Sequence, residues 1–380
     1  MRPYETIAIA GMACSLAADA LASAAKPPQS VEQAVAVATA LARTEGIQVQ
    51  PGLASQAGLA SQAGLASQAD ALAGIPAEWI VPCLDALRDA TPGGANWLRS
   101  GLERAVDRVG DALPAGRLAD VVRDAARPPR ARGLAYSWLK TRQPQLAWSL
   151  LDAMLGDPAL ELRREAVDKL LASAPDADES LQRDIHRRAL AAARDIDQIE
   201  RIAGWLAEHG EPVDLAATLG FMRRWLVSPA FDNKQGVGFA KAYPPESPAP
   251  DTTGWKQVGS TDKHGVIDLN AAIATEKGVL AYALATVEMP QAGPAEVRIG
   301  SPCAVQVWVN GEPVMQHEIY HASEAIDQYV ATADFRAGSN TVLVKCCQNE
   351  QTEAWAADWK FQLRICDRLG TPLATQRDSR

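Results

Sequence analysis

Two hydrophobic periods divide the chain. Up to about residue 226 apolar residues recur at helical spacing. Leu98, Leu102, Ala105, Val109 and Leu113 stand three or four apart, which lines one face of an α-helix. Shorter stripes follow at Leu134/Trp138, Leu146/Leu150/Met154, Leu162/Val167/Leu170 and Ile199/Ile202/Leu206, separated by Pro, Gly and Asp-Pro breaks, and predict helical hairpins. After Trp225 the period becomes two. Val305, Val307 and Val309 alternate up to Asn310-Gly311, a strand feeding a two-residue hairpin, because both turn residues tolerate the positive φ that a type I′ turn needs. Further strands are predicted at 278–289, 295–299, 326–333, 341–347 and 360–366. With no helix between them they predict an antiparallel β-sandwich. The expected fold class is α then β, a helical domain over 76–227 and a sandwich over 228–368.

The flanking segments are of a different kind. Arg2, an apolar run over 7–18 and Ala22-Ser23-Ala24 have the layout of a secretory signal over 1–24, with an A-x-A cleavage site, although Glu5 and Asp19 depart from it. The expected location is periplasmic or extracellular. Residues 25–75 are Ala-rich. A helix is predicted from Ser30 as cap with Glu32 in its first turn. The hexad GLASQA then repeats three times over 52–69, and its small side chains predict a solvated spacer. Pro244, Pro245, Pro248 and Pro250 predict an extended lead-in to the sandwich, and 369–380 reads as a disordered tail. No later stretch reaches the ~18 apolar residues of a membrane span.

Composition narrows the partners. Hydrophobic residues at 47% and charged residues at 22% rule out pervasive disorder. The net charge is −9 and most of the acidic excess lies in the strand-rich half, which argues against nucleic acid and polyanionic glycans. Cys83, Cys303, Cys346, Cys347 and Cys366 contain no C-x-x-C pair, so metal is a poor reading and no cofactor is expected. In an exported chain the cysteines of the strand-rich half could form disulfides. Cys346 and Cys347 must point to opposite faces of one strand.

Two stretches carry resemblances. Residues 157–174, DPALELRREAVDKLLASA, resemble a HEAT-repeat helix, with Asp157 as cap and Pro158 where the missing N–H costs nothing. From Trp225 to Arg368, the succession WLVSPAFDNKQGVGF, AYALATV, VRIGSPCAVQVWVNGEPV, AGSNTVLVKCCQN and WKFQLRIC resembles the galactose-binding-like jelly roll, similar to the sugar-binding domain of glycoside hydrolase family 2. Its most telling pieces are Trp308-Val309-Asn310-Gly311 and Ala337-Gly338-Ser339-Asn340. The helical half also resembles that of uncharacterised exported planctomycete proteins. The family implies a sandwich that often binds carbohydrate, with hydrolysis left to a separate barrel.

No catalytic constellation stands out. HEIYH at 317–321 matches H-E-x-x-H, but after the hairpin turn it is expected to be extended. Residues four apart on a strand lie about 13 Å from each other, too far to share a zinc, and Tyr320 is expected opposite both histidines. His186 and His209 lie on helical patterns without a nucleophile signature and read as surface residues. Asp232 and Asn233 are oxygen ligands for calcium, though two do not make a site. For binding, Trp355 lies in a polar connection between two strands, where an exposed ring can stack on a sugar while amides and carboxylates take its hydroxyls. Gln348, Asn349, Glu350 and Gln351 supply such groups, and Tyr320 and His321 are second candidates. The expected function is exported, non-enzymatic binding of a carbohydrate or of another exported protein; the alternative is a glycan hydrolase or an accessory subunit of one.

Overall fold

A computed structural model describes residues 26–44, 56–247 and 249–376; the signal-like segment, the start of the hexad repeat, Pro248 and 377–380 lie outside the described residues. The chain forms two compact units, Met1–Ala193 and Arg194–Arg380.

The first unit is helical. α1 (Val31–Ala42) starts at Ser30, whose side chain accepts from the Gln33 N–H, and buries Ala34, Ala38 and Leu41. α2 (Gln56–Ala73) carries the hexad repeat. For the last copy of the hexad the expectation of a solvated spacer is corrected: its Leu65 and Ala69, and Leu72 just after it, are buried in the core of the unit. Small residues make this possible. A Cβ at Gly101 would lie 2.9 Å from the Ala69 carbonyl oxygen, so two glycine- and alanine-rich faces approach closer than larger side chains allow. α3 (Ala77–Leu84) and α4 (Pro92–Val109) follow. Thr91 caps α4 by accepting from the Gly94 N–H at 3.0 Å. The helix ends at Gly110, with φ 54°, so Leu113 of the predicted stripe lies beyond it.

α5 (Ala115–Arg123), α6 (Pro129–Arg142), α7 (Pro144–Leu150), α8 (Leu160–Ala172) and α9 (Glu179–Ala192) complete the unit. Asp157 does not cap α8 as its sequence suggests. Its carboxylate accepts two bonds from Arg132, at 2.7 and 2.6 Å, and the guanidinium also donates to the Val122 carbonyl. A bidentate pair satisfies a charge that would otherwise be buried alone, and the helix starts only at Leu160 with Ala159 as its N-cap, two residues beyond Asp157. Asp157 Oδ1 still accepts from the Ala159 N–H at 2.8 Å.

The second unit begins before the strands, with α10 (Ile196–Glu208) and α11 (Leu215–Leu219). Then come β1 (Arg224–Val227), β2 (Phe231–Asp232), α12 (Val237–Ala240), β3 (Lys256–Gly259), β4 (Ile267–Asp268), α13 (Leu269–Ala272), β5 (Val279–Met289), β6 (Gly293–Gly300), β7 (Ala304–Val309), β8 (Glu312–His317), β9 (Tyr329–Phe335), β10 (Gly338–Cys347), β11 (Lys360–Cys366) and β12 (Thr375–Gln376). One sheet runs β3-β1-β5-β10-β7-β8, with β2 and β12 also on β5; the other runs β4-β11-β6-β9. All pairings are antiparallel. Val297, Ile299, Leu363 and Ile365 of the smaller sheet share one core with Val305, Val307, Val342 and Val344 of the larger. The protein is thus α then β, as the two periods predict.

Asn310 and Gly311 both have positive φ and join β7 to β8. Of the predicted strands β9 is displaced, starting at Tyr329 rather than 326, because Asp327 adopts φ 57°. Cys346 faces the inner core and Cys347 the outer cluster, the two sides that strand alternation demands. All five described cysteines are buried free thiols. The tail expectation is corrected up to Gln376: β12 pairs with Val287 and Glu288 of β5, and the Gln376 amide bonds Arg223 and Arg224 main chain.

The outer face of the large sheet is covered by the proline-rich lead-in. Phe231, Phe239, Tyr243 and Trp255 pack on Leu280, Tyr282, Leu343 and Cys347. Lys345, 1% exposed at its side chain, is held there by the Phe239 and Lys241 carbonyls at 2.8 and 2.9 Å and by Glu246 Oε1 at 2.9 Å. That coverage brings the segment after β2 to one end of the sandwich.

Candidate functional site

Three loops meet at that end: 233–238 after β2, 318–321 after β8, and 348–355 after β10. Asn233 sits beneath them, fully buried. Its amide donates to the Tyr320 hydroxyl at 3.2 Å and to the Gln348 carbonyl at 2.9 Å, so one side chain ties all three. This use turns Asn233 inward. Asp232 is spent locally, accepting from the Lys234 N–H, and among the described residues no three His, Cys, Asp or Glu converge for a metal.

The loops are held in uncommon backbone conformations. Of the four non-glycine residues with positive φ among the described residues two lie here, Gln235 at 59° and His321 at 58°. Such positions cost about 1 kcal/mol or more and persist where surroundings over-determine them. Both have a specific restraint: the Gln235 N–H donates to Glu350 Oε1, and His321 Nε2 donates to Asn349 Oδ1 at 2.8 Å. Gly236 follows with φ 73°. Its bare backbone leaves room beside Tyr320 and Glu318, whose oxygens lie 3.8 and 3.9 Å from where a Cβ would be.

Above this base stands Trp355, 64% exposed. Its ring meets the His321 ring edge-on, centroids 5.0 Å apart at 83°, which supports one edge and leaves a face to solvent. The rim beside it is ordered: Asn349 Oδ1 also accepts from the Gln351 N–H, and Asn349 Nδ2 donates to Gln351 Oε1, both at 3.1 Å. Burial raises the Tyr320 pKa against the opposing pull of the Asn233 bond, so this phenol stays protonated at neutral pH.

Of the sequence candidates, Trp355, His321, Asn349, Tyr320 and Glu350 come together. Gln348 does not join them. It is 2% exposed, its Oε1 accepts from Lys277 Nζ at 3.0 Å and its Nε2 donates to the Glu276 carbonyl. Alternation explains this, since the residue after Cys347 turns back under the sheet end. Sequence reasoning missed Gln235 and Glu318. The Asn-Lys-Gln-Gly turn signature at 233–236 was the available signal for the first.

The HEIYH segment is extended only to His317. There the strand ends, and the left-handed His321 breaks the alternation. Tyr320 and His321 therefore lie on neighbouring paths, ring centroids 6.5 Å apart, instead of on opposite faces. The two histidines go separate ways, His317 stacking on Tyr329 at 3.9 Å and His321 joining Trp355. Burial pulls the His317 pKa below its ordinary value. His186, expected at the surface, is buried, its Nδ1 bonded to the Gln182 carbonyl at 2.8 Å. His209 is half-buried and stacks on Trp205 at 3.7 Å.

What fold and site define is a helical unit followed by an antiparallel sandwich unit with an aromatic and amide-lined loop cluster at one end. No protein-family model matches the chain, and no curated protein matches it. Among solved structures it is similar to Faecalibacterium prausnitzii beta-glucuronidase, at 14% identity and a TM-score of 0.24, over 39% of this chain and 32% of that one. The chain thus spans about a third of that enzyme's length.

Proposed function

We propose that this is an exported, non-enzymatic binding protein that takes a carbohydrate at the loop cluster of its sandwich, a domain we read as a galactose-binding-like jelly roll. The observation that carries the reading is Trp355. A largely exposed indole, braced at its edge by His321, offers a flat apolar face to the C–H face of a sugar. Asn349, Gln351 and Glu350 stand beside it already fixed by hydrogen bonds, which lowers the ordering cost of binding. Glu350 is engaged by the Gln235 N–H, a restraint that positions its carboxylate to accept from a hydroxyl.

The test is affinity electrophoresis of the whole protein in gels containing neutral polysaccharides, beside the Trp355→Ala variant. Retardation of the parent by at least one polysaccharide, abolished in the variant, is the expected result. Equal mobility of parent and variant in every gel overturns the reading. Release of reducing sugar by the parent, lost on changing Glu350 or Glu318 to Gln, would replace it with a glycan hydrolase.

A further inference from the structure

The helical unit holds an open groove of about 650 Å3 lined from α4, α6 and α8, within the size range of small-ligand pockets. Among the α6 residues that line it, Arg130, Gly133, Ser137 and Thr141 form one stripe at helical spacing. Gly133 is the informative member. Glycine is the poorest helix residue after proline, yet it occupies the middle of α6. A Cβ there would come within 2.5 Å of Glu161 Oε2. The bare backbone is what lets the Glu161 side chain from α8 lie across α6 into the groove.

The charges of the groove are unequally spent. Lys140 and Glu165 pair at 2.6 Å and neutralise each other. Glu161 has no ion-pair or hydrogen-bond partner among the described residues. Arg130 gives Nη1 to the Ala90 carbonyl at 3.1 Å and meets no carboxylate among the described residues, and Arg99 reaches Glu103 through Nε at 2.6 Å, which leaves its other donors. One carboxylate without a cation and one guanidinium without a carboxylate, among the described residues, therefore line the same groove. A purely anionic ligand would meet Glu161, a purely cationic one Arg130. A ligand carrying both charges satisfies both.

We propose that this groove binds a short zwitterionic peptide, its ammonium at Glu161 and its carboxylate at Arg130 and Arg99. It is a different site from the loop cluster, and neither reading depends on the other. The experiment is isothermal titration of the whole protein with trialanine, N-acetyl-trialanine and trialanine amide. Trialanine is expected to bind, and each blocked peptide to bind about tenfold or more weakly, the loss of one charge-assisted contact. Glu161→Gln should lose discrimination against the acetyl group alone, and Arg130→Gln against the amide alone. Both side chains are exposed, and circular dichroism confirms that each variant is folded. No saturable binding of trialanine up to ~10 mM, equal affinity for the blocked peptides, or discrimination that survives in both variants overturns the proposal.

Discussion

The Asn310 amide donates to Asn340 Oδ1 at 2.8 Å, clasping the β7–β8 turn to the turn between β9 and β10. Each residue also serves main chain: Asn310 Oδ1 accepts from the Thr341 N–H at 3.1 Å, while Asn340 accepts from the Arg336 N–H and donates to the Arg336 and Gly338 carbonyls. Asn340 is buried, so Asn340→Ala strands several polar groups and should cost about 2–3 kcal/mol. Asn310→Gly keeps the turn's positive φ and should cost about 1 kcal/mol. Urea denaturation of both variants and of the double variant checks this; purely additive costs would mean that the clasp does not couple the turns.

Lys345 tests whether the lead-in is held by charge or by shape. Lys345→Ala leaves Glu246 facing the Tyr282 hydroxyl in a site built around a cation and should cost about 3–5 kcal/mol. Replacing Lys345 by Met and Glu246 by Gln together should cost less than the single change, since no uncompensated charge remains. Denaturant midpoints of the parent and of the two variants decide it.

Asp327 supplies a pH dependence. Burial raises its pKa, but the hydrogen bonds and charges of Arg364 and Arg298 outweigh that and hold the carboxyl below its ordinary value. The unfolded chain therefore takes the proton first as pH falls. The stabilisation is complete well above the unfolded value of about 3.9 and is lost as pH drops through it towards the folded one. Denaturant midpoints of the parent and of Asp327→Asn, measured from neutral pH down to ~3, should differ most at the neutral end and converge in acid. A constant gap would refute the assignment.

The unit boundary also has a measurable consequence. Arg364 donates to the Leu219 carbonyl at 3.2 Å, His264 Nε2 meets Glu200 Oε1 at 2.6 Å, and β12 adds to the sheet. A chain of residues 194–376 should unfold in one cooperative transition. One of residues 220–368 lacks α10, α11 and β12, and should aggregate or melt lower. Calorimetry of the two fragments compares them; equal melting temperatures would show that the flanking elements are passengers.

The two hydrophobic periods determined the α-then-β order, the β7–β8 hairpin and the opposite faces of Cys346 and Cys347, because each rests on local geometry or on a side-chain repeat a few residues long. That Trp355, Tyr320, His321, Asn349 and Glu350 gather at one end of the sandwich follows from a related pattern: polar and aromatic residues where strand alternation stops have no core to enter. Only the tertiary structure decided the rest. The last copy of the hexad is packed through Leu65 and Ala69 because Gly101 of another helix lets its backbone come close to Ala69. Gln348 is withdrawn from the site because Lys277 claims its oxygen from 71 residues away. His321 leaves the strand because Asn349 and Trp355 restrain it from across a gap that no spacing in the sequence records. Burial, ion pairing and backbone strain depend on which distant residue arrives, and a one-dimensional pattern holds no term for that arrival.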